Sequence, residues 1–221
     1  MKRLYRESEK MATKTKELNI IICGVGGQGV VLLSELLGGA AVRDGVAVKG
    51  SEVLGMAQRG GSVFSNIRLG GDALAPLTPE GRCDVIIAVE PSEALRNIQY
   101  LTKGGVVVLN SRTVLPFTVY LGKSGYPDLK TIQAALARVT DKIITLDATA
   151  LAQQAGSLQA ANVVMLGALY GTGLVPMTVE TTKALILGRF KGKAGETNIK
   201  AFDLGYAEVM QALMKKPGSK K

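Results

Sequence analysis

The sequence predicts an α/β fold: a three-layer, Rossmann-like domain with a mixed, mostly parallel sheet and a helical C-terminal third. Three observations carry this expectation. Apolar, β-branched runs of strand length alternate with segments at helical spacing. Several of those runs are apolar at every position, the mark of strands covered on both faces. From Ala160 onward the strand pattern stops and only helical spacing remains. The chain has 221 residues, 47% hydrophobic and 20% charged, enough for one domain with a real core.

Leu18–Cys23 is the first apolar run, a strand. Glycines follow at 24–29, and then Val30–Leu37 and Ala40–Val42 recur at helical spacing until Gly45. Val46–Val48 reads as a second strand, and Ser62–Leu69 alternates with period two, a strand with one wet face. Asp84–Val89 is a buried strand, and Pro91 opens a helix to about Leu101, proline being suited to a first helical turn. Gly104–Leu109 is the next buried strand, and Phe117–Leu121 a short one. Asp128 caps a helix to about Val139; Lys142–Leu146 is a strand, and Asp147 caps another helix. Ala160–Tyr170, Val179–Leu187 and Glu196–Lys215 complete the chain as helices. The domain is thus expected over 18–213, between a charged, disordered tail at 1–17 and a basic tail at 214–221.

The net charge of +9 sits mostly in those tails: +3 in residues 1–17 and +4 in 214–221, leaving +2 on the body. Basic tails on a nearly neutral body are solvating ends, so no nucleic-acid role is expected. No apolar run reaches the ~18 residues of a membrane span, and the N-terminus lacks the apolar segment of a secretory signal, so no membrane role and a cytoplasmic location are expected. Met11 offers an alternative start.

The absent residues exclude chemistry. The chain has no His, which removes Ser-His-Asp and Cys-His catalysis. Its two cysteines, Cys23 and Cys83, cannot supply the four thiolates of an iron–sulfur cluster or a structural zinc site. They read as small buried hydrophobes near strand ends. No metal site is expected, and no catalytic residue is assigned.

Two glycine loops carry the positive signal. Residues 24–29 read Gly-Val-Gly-Gly-Gln-Gly, a G-x-G-x-x-G between a strand and a helix. Gly24 permits a tight turn, Gly26 lets backbone approach a ligand, and Gly29 lets helix pack on strand. Free N–H groups and the helix dipole there favour a phosphate; a tight turn that binds nothing is the simpler alternative. Gly27 and Gln28 complete the loop. A dinucleotide fold wants an acid ~20 residues further on for the ribose, and Lys49 stands there with Glu52 nearby. The second loop, Gln58-Arg59-Gly60-Gly61-Ser62, joins a guanidinium fork to open backbone donors. Gly24, Gly26, Gly27, Gln28, Gly29, Gln58, Arg59, Gly60, Gly61 and Ser62 are the candidate cofactor-binding residues. Glu52 is expected to pair with Arg59 or Arg68, Asn110 and Asn162 to cap elements, and Asp84, Glu90 and Glu93 to be solvated or helix-start charges too scattered for an acid–base pair.

Together the loops resemble the γ-type domain of the 2-oxoacid:ferredoxin oxidoreductases, the small subunit of the indolepyruvate type in particular. The likeness rests on Gly24-Val-Gly-Gly-Gln-Gly29, Ser51-Glu52, Gly55-Met-Ala-Gln-Arg-Gly-Gly-Ser-Val63, Ser65, Arg68, Glu90-Pro91, Glu93-Ala-Leu-Arg96, Asn110 and Asn162-Val-Val-Met-Leu-Gly-Ala168. It runs from about Leu18 to Met210. Leu54 departs from it, standing where the pattern has His. The resemblance implies an accessory subunit of an enzyme that decarboxylates a 2-oxoacid on thiamine diphosphate, reduces ferredoxin and forms an acyl-CoA. Thiamine diphosphate, Mg2+ and the 4Fe-4S clusters are then expected on a larger partner subunit, with coenzyme A as co-substrate near the glycine loops and ferredoxin as acceptor of the complex. Aryl pyruvates, branched 2-oxoacids and pyruvate all remain as substrates. A free-standing NAD(P)-binding oxidoreductase or a nucleotide-binding module is the alternative.

Overall fold

A computed structural model describes residues 16–55, 60–71 and 75–215. Most of the expected tails and the pair Gln58 and Arg59 lie outside the described residues. One six-stranded sheet is formed by β1 (Leu18–Val25), β2 (Val48–Leu54), β3 (Ser62–Leu69), β4 (Cys83–Ala88), β5 (Leu101–Asn110) and β6 (Ile143–Leu146), in the order β2-β3-β1-β4-β5-β6. β1, β4, β5 and β6 run parallel. β3 is antiparallel to both its neighbours, so it alone is reversed. Successive β1 side chains feed opposite faces, as strand geometry requires. Ile20 and Ile22 enter a core with Leu33, Leu37 and Phe202, while Ile21 and Cys23 enter a second core with Ile86, Leu109 and Ile132. That division makes the three layers.

Helices α1 (Val30–Arg43), α5 (Ala148–Ala155), α6 (Ala161–Gly171), α7 (Val179–Arg189) and α8 (Lys193–Lys215) belong to the first face. α2 (Pro91–Arg96) and α4 (Leu129–Leu136) cover the second. The sequence signals placed the caps correctly: Asp128 accepts from Thr131 N–H at 2.7 Å and Asp147 from Ala150 N–H at 2.9 Å. The two thiols are free and buried, near the ends of β1 and β4.

Three elements differ from expectation. The second strand begins at Val48 rather than Val46, because Val46 belongs to the closure of α1. Gly45 takes φ +69° and Val46 N–H donates to Ala41 O at 2.8 Å, a Schellman-type ending. The Pro91 helix stops at Arg96, where buried Asn97 donates from its side chain to Glu93 O at 2.9 Å and competes with the helix. A single 3₁₀ turn at Ile98–Tyr100 then leads into β5. Phe117–Tyr120, expected as a strand, is a four-residue helix, α3. Pro116 supplies a φ of −61° at its start, and Leu121 N–H closes onto Phe117 O at 3.1 Å.

Candidate functional site

The site lies where β1 and β4 end. From β1 the chain leaves toward β2 on one side, and β4 lies on the other, so this is the point at which the strand order reverses. In open α/β sheets ligands bind at the carboxyl ends of strands at such a point. The first glycine loop occupies it. Gly27 takes φ +98° and Gly29 φ +78°, a region that favours glycine. Gly29 also has no room for a side chain, since a Cβ there would lie 2.1 Å from Asn162 Nδ2. Helix α1 starts at this left-handed glycine with no side-chain cap, so its first N–H groups face the loop. Gln28 turns inward instead. Its Oε1 accepts from Val25 N–H at 2.9 Å, and its Nε2 reaches Val89 O at 3.5 Å. It shapes the turn.

The second loop is stitched to the first. Gly26 N–H donates to Gly61 O at 2.8 Å, and Gly60 N–H donates to Gly26 O at 3.2 Å. The two glycine motifs, more than 30 positions apart, are thus one surface. Ser62 opens β3 beside them and its hydroxyl donates to Glu93 Oε2. Gln58 and Arg59 lie between described segments at Gly55 and Gly60.

Glu90 and Glu93 correct the sequence reading. Both stand at the start of α2, as expected, but neither is solvated: Glu90 is 0% exposed and Glu93 3%. Nor are they scattered. Glu90 caps α2 through Glu93 N–H at 3.2 Å and accepts from Ser92 Oγ at 2.6 Å and from the Tyr126 hydroxyl. Val114 N–H also reaches it, at 3.4 Å. Glu93 accepts from Ser62 and pairs with Arg96 Nε at 3.0 Å. Burial holds the Glu93 carboxyl above the usual carboxylate range, with the Ser62 hydroxyl and Arg96 opposing it. Burial also pushes the Tyr126 hydroxyl up, and the Glu90 carboxylate it bonds adds to this. Asp84 is remote from the pair, at the other end of β4, where it accepts from Asn19 N–H at 2.8 Å. The sequence signal for the two glutamates was the run Val89-Glu-Pro-Ser-Glu93, a strand end flowing into a helix start with acids at the cap and three residues later. Burial of those acids is a tertiary outcome.

Asn110 acts as expected: its Oδ1 accepts from Ala148 N–H at 3.1 Å at the start of α5, and its Nδ2 ties β5 to Val89 O at 3.0 Å. Asn162 does not cap. Its Oδ1 accepts only from the adjacent Val163 N–H, and the side chain stands over Gly29. Glu52 accepts from Ser34 Oγ at 2.8 Å, whereas Arg68 pairs with Glu17 at 2.6 Å at the far end of its strand, so the expected Glu52–Arg68 pair does not form.

The fit to cofactors follows from these donors. Cys23 and Cys83 are two thiols, both buried, with burial pushing Cys23 up and Cys83 to about 12. They cannot ligate a cluster. Among the described residues no group of three His, Cys, Asp or Glu is placed to hold a metal ion. A dinucleotide does not fit the usual way either, because β3 stands between β1 and β2 and carries the end of β2 about 10 Å from β1. Open backbone donors at a helix start suit an anion. No helix among the described residues is long and apolar enough to cross a membrane.

Fold and site define a glycine-loop α/β domain whose two glycine loops meet at its strand ends. The model of the pyruvate ferredoxin/flavodoxin oxidoreductase family matches residues 19–208, and the chain belongs to that family. It is 43% identical over 193 residues to indolepyruvate oxidoreductase subunit IorB of Archaeoglobus fulgidus, covering 87% of this chain and 96% of the relative. Pyruvate synthase subunit PorC of Methanocaldococcus jannaschii is 29% identical, covering 85% of this chain and 94% of that one. The fold matches the pyruvate oxidoreductase subunit PORC of Thermotoga maritima with a TM-score of 0.66 at 23% identity, over 87% of this chain and 97% of that one.

Proposed function

We propose that this chain is the accessory subunit of a thiamine-diphosphate- and ferredoxin-dependent 2-oxoacid oxidoreductase that turns over aryl pyruvates of the indolepyruvate kind. The observation that carries the reading is the hydrogen-bonded pair of glycine loops at the sheet switch point, Gly26 with Gly60 and Gly61. Similarity to the indolepyruvate subunit at 43% identity supports the substrate class. Thiamine diphosphate, Mg2+ and the 4Fe-4S clusters belong to a larger partner subunit, where they supply the decarboxylation and the electron path. Ferredoxin serves the complex as acceptor.

This chain's own share is binding and positioning. Gly27 and Gly29 present backbone to the phosphates of coenzyme A or to the partner's wall of the cleft, with Gly24 holding the end of β1 and Gly26, Gly60 and Gly61 joining the two loops behind them. Gln28 holds the turn, Ser62 is steadied by Glu93, and Gln58 and Arg59 are further candidate contacts. The domain occupies 18–213, and the complex works in the cytoplasm.

The test is co-expression with a candidate large subunit under anaerobic conditions. A tagged copy of this chain should bring down a brown partner in fixed ratio, and the pair should reduce a viologen dye with indolepyruvate and CoA. Recovery of the chain alone, colourless and binding NAD(P), would instead establish a free-standing oxidoreductase.

A further inference from the structure

Ser62 stands where the second glycine loop enters β3, and it is exposed. Its hydroxyl donates to Glu93 Oε2 at 2.5 Å. A serine hydroxyl has one hydrogen to give and two lone pairs to accept with. No group among the described residues donates to Ser62 Oγ. The side chain therefore meets its surroundings with its proton already committed and its lone pairs open.

Glu93 fixes this polarity. It is 3% exposed, and its other oxygen, Oε1, accepts from Arg96 Nε at 3.0 Å. Arg96 can only donate, so it keeps an acceptor at that position. Burial raises the Glu93 carboxyl above its usual range, while the Ser62 hydroxyl and Arg96 oppose the rise. The ionisable groups that bear on it are Arg96 and Glu90 from its own turn and Cys23 from β1. The backbone donors where the loops join are committed as well, Gly26 N–H to Gly61 O and Gly60 N–H to Gly26 O. This end of the surface thus differs from the start of α1, whose first N–H groups have no side-chain cap.

We infer that Ser62 is a hydrogen-bond acceptor at the joined loops, held so by Glu93, and that the group it receives is an N–H donor, an amide or an ammonium, rather than a phosphate. An ionised phosphate brings only acceptors, and would set lone pairs against lone pairs with a carboxylate behind them. The inference rests on the reading of the joined loops as the surface that faces the cleft, and it divides that surface. Gly27 and Gly29 serve an anion, and Ser62 serves a donor. Glu93 is the positioning residue behind Ser62.

The test inverts the polarity. In Glu93→Gln, Arg96 Nε still requires an oxygen opposite it, so the new amide nitrogen faces Ser62 and donates to it. The serine proton then turns outward. The first readout uses the full-length chain alone, with the Glu93 carboxyl followed by carbon-13 NMR across pH and assigned by its loss in Glu93→Gln. Ser62→Ala should move its titration midpoint up by about 0.5 pH or more, because a bond to the charged form is removed, and Ser62→Thr should restore it. A midpoint that stays or falls overturns the inference.

The second readout uses the chain co-expressed with the larger subunit. Ser62→Ala and Glu93→Gln should each weaken subunit affinity, or raise the KM for indolepyruvate, by about fivefold or more with kcat little changed. Ser62→Thr should stay within about twofold of wild type. Weakened subunit affinity puts the N–H donor on the larger subunit, and a raised KM puts it on the substrate. A Glu93→Gln enzyme that matches wild type while Ser62→Ala is impaired makes Ser62 a donor and overturns the inference. The NMR result decides the inference even where no complex forms, an outcome that defeats the proposed function alone.

Discussion

Two groups of glycines do opposite work in this molecule. In the loops at the strand ends, a Cβ added to Gly27 or Gly60 would meet nothing within 4 Å, yet both residues hold positive φ. Where α6 crosses α8 the conformation is ordinary helix and the space is full. A Cβ on Gly167 would lie 1.9 Å from Phe202 O, and one on Gly205 1.9 Å from Val164 O. The first group is glycine for the sake of backbone angle, the second for the sake of helix-to-helix approach. A glycine pressed on backbone marks a contact already made, whereas one with empty space around it is held by its backbone angle alone.

The sharpest way to break this contrast is to fill the crossing. Gly205→Ala or Gly167→Ala forces one backbone off another, and we expect a loss of about 3 kcal/mol or more. In a chain of this size that lowers the melting temperature by about 6–12 °C in a thermal scan. Gly29→Ala should cost less, about 2 kcal/mol, because the left-handed angle is strained while Asn162 is a side chain that can yield. Urea unfolding would read it. Gly27→Ala should cost about 1 kcal/mol from its angle alone. A loss at Gly27 equal to that at Gly205 would erase the distinction.

Two smaller effects sharpen the site end. The Glu93 carboxyl is held above its ordinary range, so its proton is bound more tightly in the folded state. Its contribution is therefore present below about pH 4.5 and is lost as pH rises through the folded value. Glu93→Gln should flatten the fall in stability from pH 4.5 toward neutrality, measured by denaturant titration at each pH. Smallest of all, Cys23 and Cys83 should stay silent to a thiol reagent in the native protein and react only on unfolding, as buried thiols raised above their usual range.

Much of the site was legible because its signals are local. The G-x-G-x-x-G run between a strand and a helix is a backbone requirement written in consecutive residues, and the structure puts Gly27 and Gly29 at positive φ. The second loop was legible as a polar glycine run, but not as a neighbour of the first. Only the reversed β3 brings Gly60 and Gly61 against Gly26. Glu90 and Glu93 were misread because charge predicts solvent on average, and their burial depends on Ser62 and Tyr126 arriving from elsewhere in the chain. The Phe117–Tyr120 helix was misread because four alternating residues fit a strand as well as a turn, and Pro116 decided between them.

By itself the sequence determined what depends on neighbours within a turn or a strand: the buried runs, the side-chain caps Asp128 and Asp147, the glycine turn, and the lack of imidazole and of enough thiolate for a cluster. Tertiary structure alone decided what depends on distant segments meeting. It set β3 between β1 and β2, joined the two glycine loops, buried Glu90 and Glu93 and left the Asn162 amide facing Gly29. The physical reason is one of range. Backbone angles and capping bonds are set within a few residues, whereas burial and cross-loop hydrogen bonds exist only after the chain has closed on itself.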